Sequence, residues 1–126
     1  MLLLETFLTE LADARSRPRD VPAWLESTMT RMQSLGALVD QEELASEAGM
    51  PPRTFRRRFG ELGGISPLEY LIRCRIAHAR EMLGTTDLPV KQIAEQLGYT
   101  DVSFFTRQFR EVAGVPPAVY RRSREA

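Results

Sequence analysis

Between Arg53 and Arg58 the chain sets four arginines in six residues. On a helix from Pro52 to about Leu62, Arg53, Arg56 and Arg57 fall at i, i+3 and i+4 on an outward face, Arg58 flanks them, and Phe55, Phe59 and Leu62 turn inward. Like charges at this spacing repel and disfavour the helix unless anionic phosphate lies against it. The guanidinium fork also matches the major-groove edge of guanine. A second segment, from about Asp101 to Val112, carries a mixed face: Ser103, Thr106, Arg107 and Arg110 look out, while Phe105, Phe109 and Val112 look in. Hydroxyls bond base edges or phosphates, the Thr106 methyl meets that of thymine, and Arg107 reaches guanine. Val102 sits on the border between faces, with core packing and base contact both open. Phe104 is expected in the core, because a groove-bound helix meets paired bases edge-on and has no use for a stacking platform. Arg58, Arg110, Arg121 and Arg122 are the candidates for phosphate contacts, with a structural role also open for Arg121 and Arg122.

A basic helix taken alone is as well explained by a solvated face, so the elements that would position it matter. They repeat. Phe59, Gly64, Pro67 and Tyr70 recur 50 residues later as Phe109, Gly114, Pro117 and Tyr120, whereas Ala45 and Gly49 recur 49 residues later as Ala94 and Gly98. A one-residue indel therefore falls in the turn. Each unit reads helix, glycine turn, helix. Asp40 and Glu43 form a capping box for a helix carrying Leu44, Ala45 and Ala48, which Gly49 stops; Pro89 and Val90 start its counterpart, carrying Ile93, Ala94 and Leu97, which Gly98 stops. The small alanine lets a following helix cross closely, and glycine tolerates the positive φ of a sharp turn. Between the units, Ser66-Pro67-Leu68-Glu69 starts a long helix with Leu68, Leu71, Ile72, Ile76, Ala79, Met82 and Leu83 as its buried stripe and Gly84 as its C-terminal cap. Its 18 or so residues span roughly 27 Å, against the ~34 Å between successive major grooves on one face of a duplex.

Ahead of these units, Leu4, Phe7, Leu8 and Leu11 make one stripe of an amphipathic helix from Leu2 to about Ala14; a proline-bearing linker follows, then a helix from about Ala23 to Ser34. The predicted organisation is all-α: residues 1–20 form the N-terminal helix and linker, 21–65 the first helix-turn-helix subdomain, 66–84 a linker helix, and 85–126 the second subdomain. Net charge is zero, but residues 1–50 hold 4 Arg against 9 Asp and Glu, so an anion-binding surface belongs after Met50. One cysteine, Cys74, excludes an internal disulfide, and one histidine, His78, leaves no metal-ligand cluster. Cys74 is expected in the core and His78 in a surface or packing role. Ser34, Ser46 and Ser66 have no nucleophile elbow or nearby base, so neither an enzyme nor a bound cofactor is expected. The leader lacks basic residues and no apolar run is membrane length, which predicts a soluble, cytoplasmic protein without membrane association.

From Ile93-Ala94-Glu95-Gln96-Leu97-Gly98-Tyr99 through Ser103-Phe104-Phe105-Thr106-Arg107-Gln108-Phe109 to Gly114-Val115-Pro116-Pro117-Ala118-Val119-Tyr120-Arg121, the chain resembles the AraC/XylS family of transcriptional regulators. Leu44-Ala45-Ser46-Glu47-Ala48-Gly49-Met50 through Phe55 and Phe59 is similar to that family's first helix-turn-helix, and the likeness runs from about Trp24 to Arg122. The resemblance implies seven helices, two recognition helices in adjacent major grooves, and base-reading positions at Arg53, Arg56, Arg57, Val102, Ser103, Thr106 and Arg107. One departure stands out: Pro51 replaces the usual Ser or Thr cap, which would allow the helix start to shift by a residue. Most members carry a separate effector or dimerisation domain. The Leu2–Ala14 helix resembles the tail of such a domain, and residues 1–15 would otherwise serve a twin chain or belong to a stand-alone regulator. The partners implied are double-stranded DNA and RNA polymerase. The rival reading is an anti-regulator that keeps the fold for protein interaction without binding DNA.

Overall fold

The protein is described by a computed structural model covering residues 21–35 and 39–125. Among these residues the regular structure is seven helices: α1 (Ala23–Leu35), α2 (Gln41–Glu47), α3 (Pro52–Gly63), α4 (Pro67–Thr85), α5 (Val90–Gln96), α6 (Val102–Ala113) and α7 (Pro117–Glu125). The expected Leu2–Ala14 helix lies outside the described residues.

The internal repeat becomes two helix-turn-helix units, α2–α3 and α5–α6. In each turn a glycine takes a left-handed conformation, Gly49 at φ 74° and Gly98 at φ 89°. The residue after it then donates back to the alanine carbonyl, Met50 N–H to Ala45 O and Tyr99 N–H to Ala94 O, both at 3.0 Å. A Cβ at either glycine would strain this backbone. The indel proves to be one extra residue in the second turn, so α3 and α6 still begin and end 50 residues apart, each with a left-handed glycine at its C-cap.

Each unit has its own core. Leu25, Met29, Met32, Val39, Leu44, Ala45, Phe55 and Phe59 close the first together with Tyr70, Leu71 and Cys74 of α4. Ile93, Ala94, Leu97, Tyr99, Phe105, Phe109 and Tyr120 close the second together with Ile76, Ala79 and Leu83 of α4. Matching aromatic pairs run through both. Phe55–Phe59 and Phe59–Tyr70 each have centroids 5.9 Å apart, while Phe105–Phe109 and Phe109–Tyr120 stand at 6.0 and 5.7 Å. The first turn of α4 thus serves unit one as α7 serves unit two.

The single buried stripe expected on α4 is really two. Pro67, Tyr70, Leu71 and Cys74 form one, and Ile76, Ala79, Arg80 and Leu83 form another. At about 100° per residue they lie on roughly opposite faces, displaced along the axis by about 13 Å. Leu68 falls between them and is 48% exposed, contrary to the expectation that it was buried. The repeat also reaches further than its motifs: the buried set Leu25, Thr28, Met29 and Met32 of α1 has the spacing of Ile76, Ala79, Arg80 and Leu83. Arg80 holds the place of Met29, with its guanidinium 5.6 Å from the Tyr120 ring centroid.

Three local expectations also change. Gly84 does not end α4, which runs through Thr85 to a C-cap at Thr86. Instead it makes room, since a Cβ there would meet Arg124 Nη2 at 3.2 Å. Asp40 caps α2 by accepting from Glu42 N–H at 3.4 Å rather than from Glu43. Leu62, expected inside, is 44% exposed. The core face of α3 follows Phe55, Phe59 and Gly63, and Gly63 is the position set against Met29 and Phe59. Ser66 does cap α4, its Oγ accepting from Glu69 N–H at 3.1 Å. His78 joins α4 to the end of α1, with Nε2 2.9 Å from Gln33 O. Cys74 is buried, and desolvation pushes its thiol up to about 12 although the charge of Arg75 pulls the other way.

Candidate nucleic-acid interface

The inward phenylalanines of α3 and α6 decide which residues are left outside. Anchoring Phe55 and Phe59 in the first core puts Arg53, Arg56, Arg57 and Arg58 at the surface of α3. Anchoring Phe105 and Phe109 likewise exposes Ser103, Arg107 and Arg110 on α6, with Thr106 half-buried among them and Val102 37% exposed. Arg53, Arg56, Arg57, Ser103 and Arg107 therefore lie on the faces turned away from the two cores, while Val102 and Thr106 lie at the border between the α6 faces.

The two helices start differently. Asp101 caps α6, its carboxylate accepting from Ser103 N–H at 2.8 Å, which also fixes the backbone beneath Val102 and Ser103. Pro51 occupies the N-cap of α3 without a side-chain cap bond, yet α3 begins at Pro52, in register with α6. The missing hydroxyl does not shift Arg53, because proline's fixed φ suits the cap backbone.

The arginines are not equivalent. Arg57 Nη1 lies 3.5 Å from Glu61 Oε1 in an exposed pair of small net worth. Arg58 bends away from its neighbours, its guanidinium 5.8 Å from the Trp24 ring centroid. Arg107 lies 5.8 Å over Phe104, which is 45% exposed and not in the core as expected; its ring meets Tyr99 at the surface instead. Arg121 turns inward: Nε donates to Leu83 O and Nη2 to Thr86 O, both at 3.2 Å, satisfying carbonyls at the carboxyl end of α4. Arg122 stays exposed. Sequence reasoning passed over Arg80 and Arg124, whose guanidiniums both stand within 6.0 Å of the Tyr120 centroid. Their only sequence signal was a charge at a position the repeat makes apolar. Among the described residues, no helix is long and apolar enough to cross a membrane.

Two helix-turn-helix units in register, each presenting a basic or hydroxyl-bearing second helix, define a DNA-binding domain of the double helix-turn-helix class. A helix-turn-helix domain family model matches residues 44–123. The chain belongs to the AraC family of transcription regulators. It is 35% identical over 112 residues to an uncharacterised HTH-type transcriptional regulator of Mycobacterium tuberculosis, covering 89% of this chain and 32% of that protein. It is 33% identical over 104 residues to the transcriptional activator RhaS of Escherichia fergusonii, covering 82% of this chain and 35% of that one. Among solved structures, the DNA-binding domain of the transcription factor AdpA, in complex with a target DNA, matches with a TM-score of 0.70 and 35% identity over 79% of this chain and 90% of that one. The C-terminal domain of the response regulator AraT from Geobacillus stearothermophilus matches with a TM-score of 0.73 and 28% identity over 81% and 86%. The chain spans about a third of the length of the Mycobacterium tuberculosis and Escherichia fergusonii regulators.

Proposed function

We propose that this chain reads a specific double-stranded DNA site through two successive major grooves, α3 in one and α6 in the next, and thereby controls transcription. The observation that carries the reading is the in-register repetition of one helix-turn-helix plan with two different outward faces, an arrangement suited to two unlike half-elements. Arg53, Arg56 and Arg57 are the proposed base readers of the first, and Val102, Ser103, Thr106 and Arg107 of the second. Arg58, Arg110 and Arg122 are proposed to contact phosphates. Arg121 is assigned to capping α4. The division into units at α4, with the preceding residues 1–20 apart, stands as part of the proposal. RNA polymerase, and an effector domain or twin chain engaged through residues 1–15, are proposed further partners; the cytoplasm is the proposed location, and no catalytic role is proposed.

The test is an alanine inserted between Arg75 and Ile76, where the two α4 stripes meet. Each core keeps its residues, while one unit turns by about 100° and advances by about 1.5 Å relative to the other. On a duplex enriched from randomised DNA by the unaltered chain, the insertion variant is expected to keep its helicity and salt-sensitive retention but lose site preference. Normal site binding by a folded insertion variant overturns the rigid two-groove reading. An unaltered chain with no salt-sensitive retention on any duplex favours the anti-regulator instead.

A further inference from the structure

Arg57 and Arg107 hold the same place in the two units, each two residues before an anchoring phenylalanine and four before a glutamate, Glu61 or Glu111. The structure sends them in opposite directions. Arg57 leans toward the C-terminal end of α3, onto Glu61. Arg107 leans toward the N-terminal end of α6, over Phe104. In a helix-turn-helix the N-terminal residues of the second helix meet the base edges, so on a duplex docked in that way Arg107 would be turned toward the bases and Arg57 drawn back from them.

The cause lies three residues upstream. Phe104 has Thr54 as its register mate, which offers no π face. Phe104 is itself backed by the Tyr99 ring at 6.0 Å, and Tyr99 is fixed in turn: its hydroxyl donates to Gln108 Oε1 at 2.5 Å and its ring meets Phe105 edge-on at 5.0 Å. The register mate of Tyr99 is Met50. Unit two therefore carries an aromatic support that ends under Arg107, whereas the aromatic run of unit one, from Phe55 to Trp24 at 6.0 Å, ends under Arg58 and leaves Arg57 to Glu61. An arginine is costly to order, and a ring that orders it before binding reduces what recognition must offset.

We propose that Phe104 is a positioning residue that holds Arg107 toward its base, making α6 the more discriminating of the two readers. The proposal rests on the DNA-reading function above. Phe104 is exposed, so its replacement should spare the fold.

The experiment uses the full chain and the duplex that the unaltered chain enriches from randomised DNA, together with single-base variants of that duplex at fixed salt. Phe104→Leu, Phe104→Tyr and Phe104→Thr are made alone and combined with Arg107→Ala. Phe104→Leu and Phe104→Thr are expected to weaken preference for the base that depends on Arg107 by about two- to fivefold. Phe104→Tyr should retain it. Once Arg107 is alanine, Phe104→Leu should have no further effect on that preference, and the other half-element should be read unchanged throughout. In the free protein, Phe104→Leu should abolish the ring-current displacement of the Arg107 δ-proton signals while Phe104→Tyr preserves it. Equal weakening on every duplex, or an equal effect of Phe104→Leu with and without Arg107, overturns the proposal and makes Phe104 a direct contact or a structural residue. Failure to enrich any site refutes the DNA-reading function, a different result from an enriched site at which the two residues act independently.

Discussion

Aligned by register, α3 and α6 begin and end 50 residues apart, bury phenylalanines at the same two positions, and close on glycines at φ 87° and 89°. Their turns share the alanine carbonyl acceptor and the left-handed glycine. Apart from the extra residue in the second turn and Tyr99 in the place of Met50, the differences lie in what faces outward and in how the helix begins. Unit one sets four arginines around Thr54 and starts on a proline without a cap bond; unit two sets hydroxyls and arginines around Phe104 and starts on a carboxylate cap. The shared set is what packing demands. The unlike set is free to differ because no core constrains it, and there the two units can acquire different base preferences.

The largest expected effect tests whether the units are one folding body. Phe59→Ala and Phe109→Ala each remove a fully buried ring and should cost about 3–5 kcal/mol. Because α4 lends one face to each core, urea unfolding followed by Trp24 fluorescence and by far-UV circular dichroism should stay coincident in both variants. A transition of unit one that separates from the other would show that α4 does not couple the cores. Next come two of the proposed readers: Arg57→Ala and Arg107→Ala should each cost about 1–3 kcal/mol on the enriched site and relax preference mainly in one half-element, with Arg107 toward the upper end. Equal losses on all single-base variants would reclassify both as backbone contacts. The caps follow. Asp101→Ala should lower stability by about 1 kcal/mol, whereas Pro51→Ala, which removes no cap bond, should lower it by less; the midpoints of thermal or urea unfolding compare the two. The smallest effect is at Gly60, the register mate of Arg110, where an added Cβ meets nothing within 4 Å. Gly60→Ala should raise stability by about 0.5–1 kcal/mol, and a loss in the same unfolding assay would mean that α3 needs flexibility there.

Much of this could be read before the structure, for a physical reason. Phe55, Phe59, Phe105 and Phe109 recur at helical spacing, and that local periodicity assigns the outward faces of α3 and α6 without knowledge of neighbours. Gly49 and Gly98 mark turns because the conformation they adopt is closed to other residues at little cost. The misses fall where a side chain's surroundings come from distant chain. Helical spacing places Leu62 inward, and Phe104 is expected there because a groove-bound helix has no use for a stacking platform, but whether anything covers either depends on elements that no local pattern encodes. For Arg121 the sequence leaves a phosphate contact and a structural role both open, and the choice rests on Leu83 and Thr86, which come within its reach from across the domain.

By itself, the sequence determined the all-helical class, the doubled helix-turn-helix plan, the family, and the outward placing of the arginines of α3 and of Ser103, Arg107 and Arg110 on α6. These follow from spacing along one chain. Only the tertiary structure decided that α4 serves two cores on roughly opposite faces, that Arg80 takes the place of a buried methionine beneath Tyr120, and that Arg57 and Arg107 lean opposite ways. A helix with two apolar stripes looks in sequence like one broad stripe, and a flexible arginine has no preferred direction until a ring or a carboxylate is placed beside it.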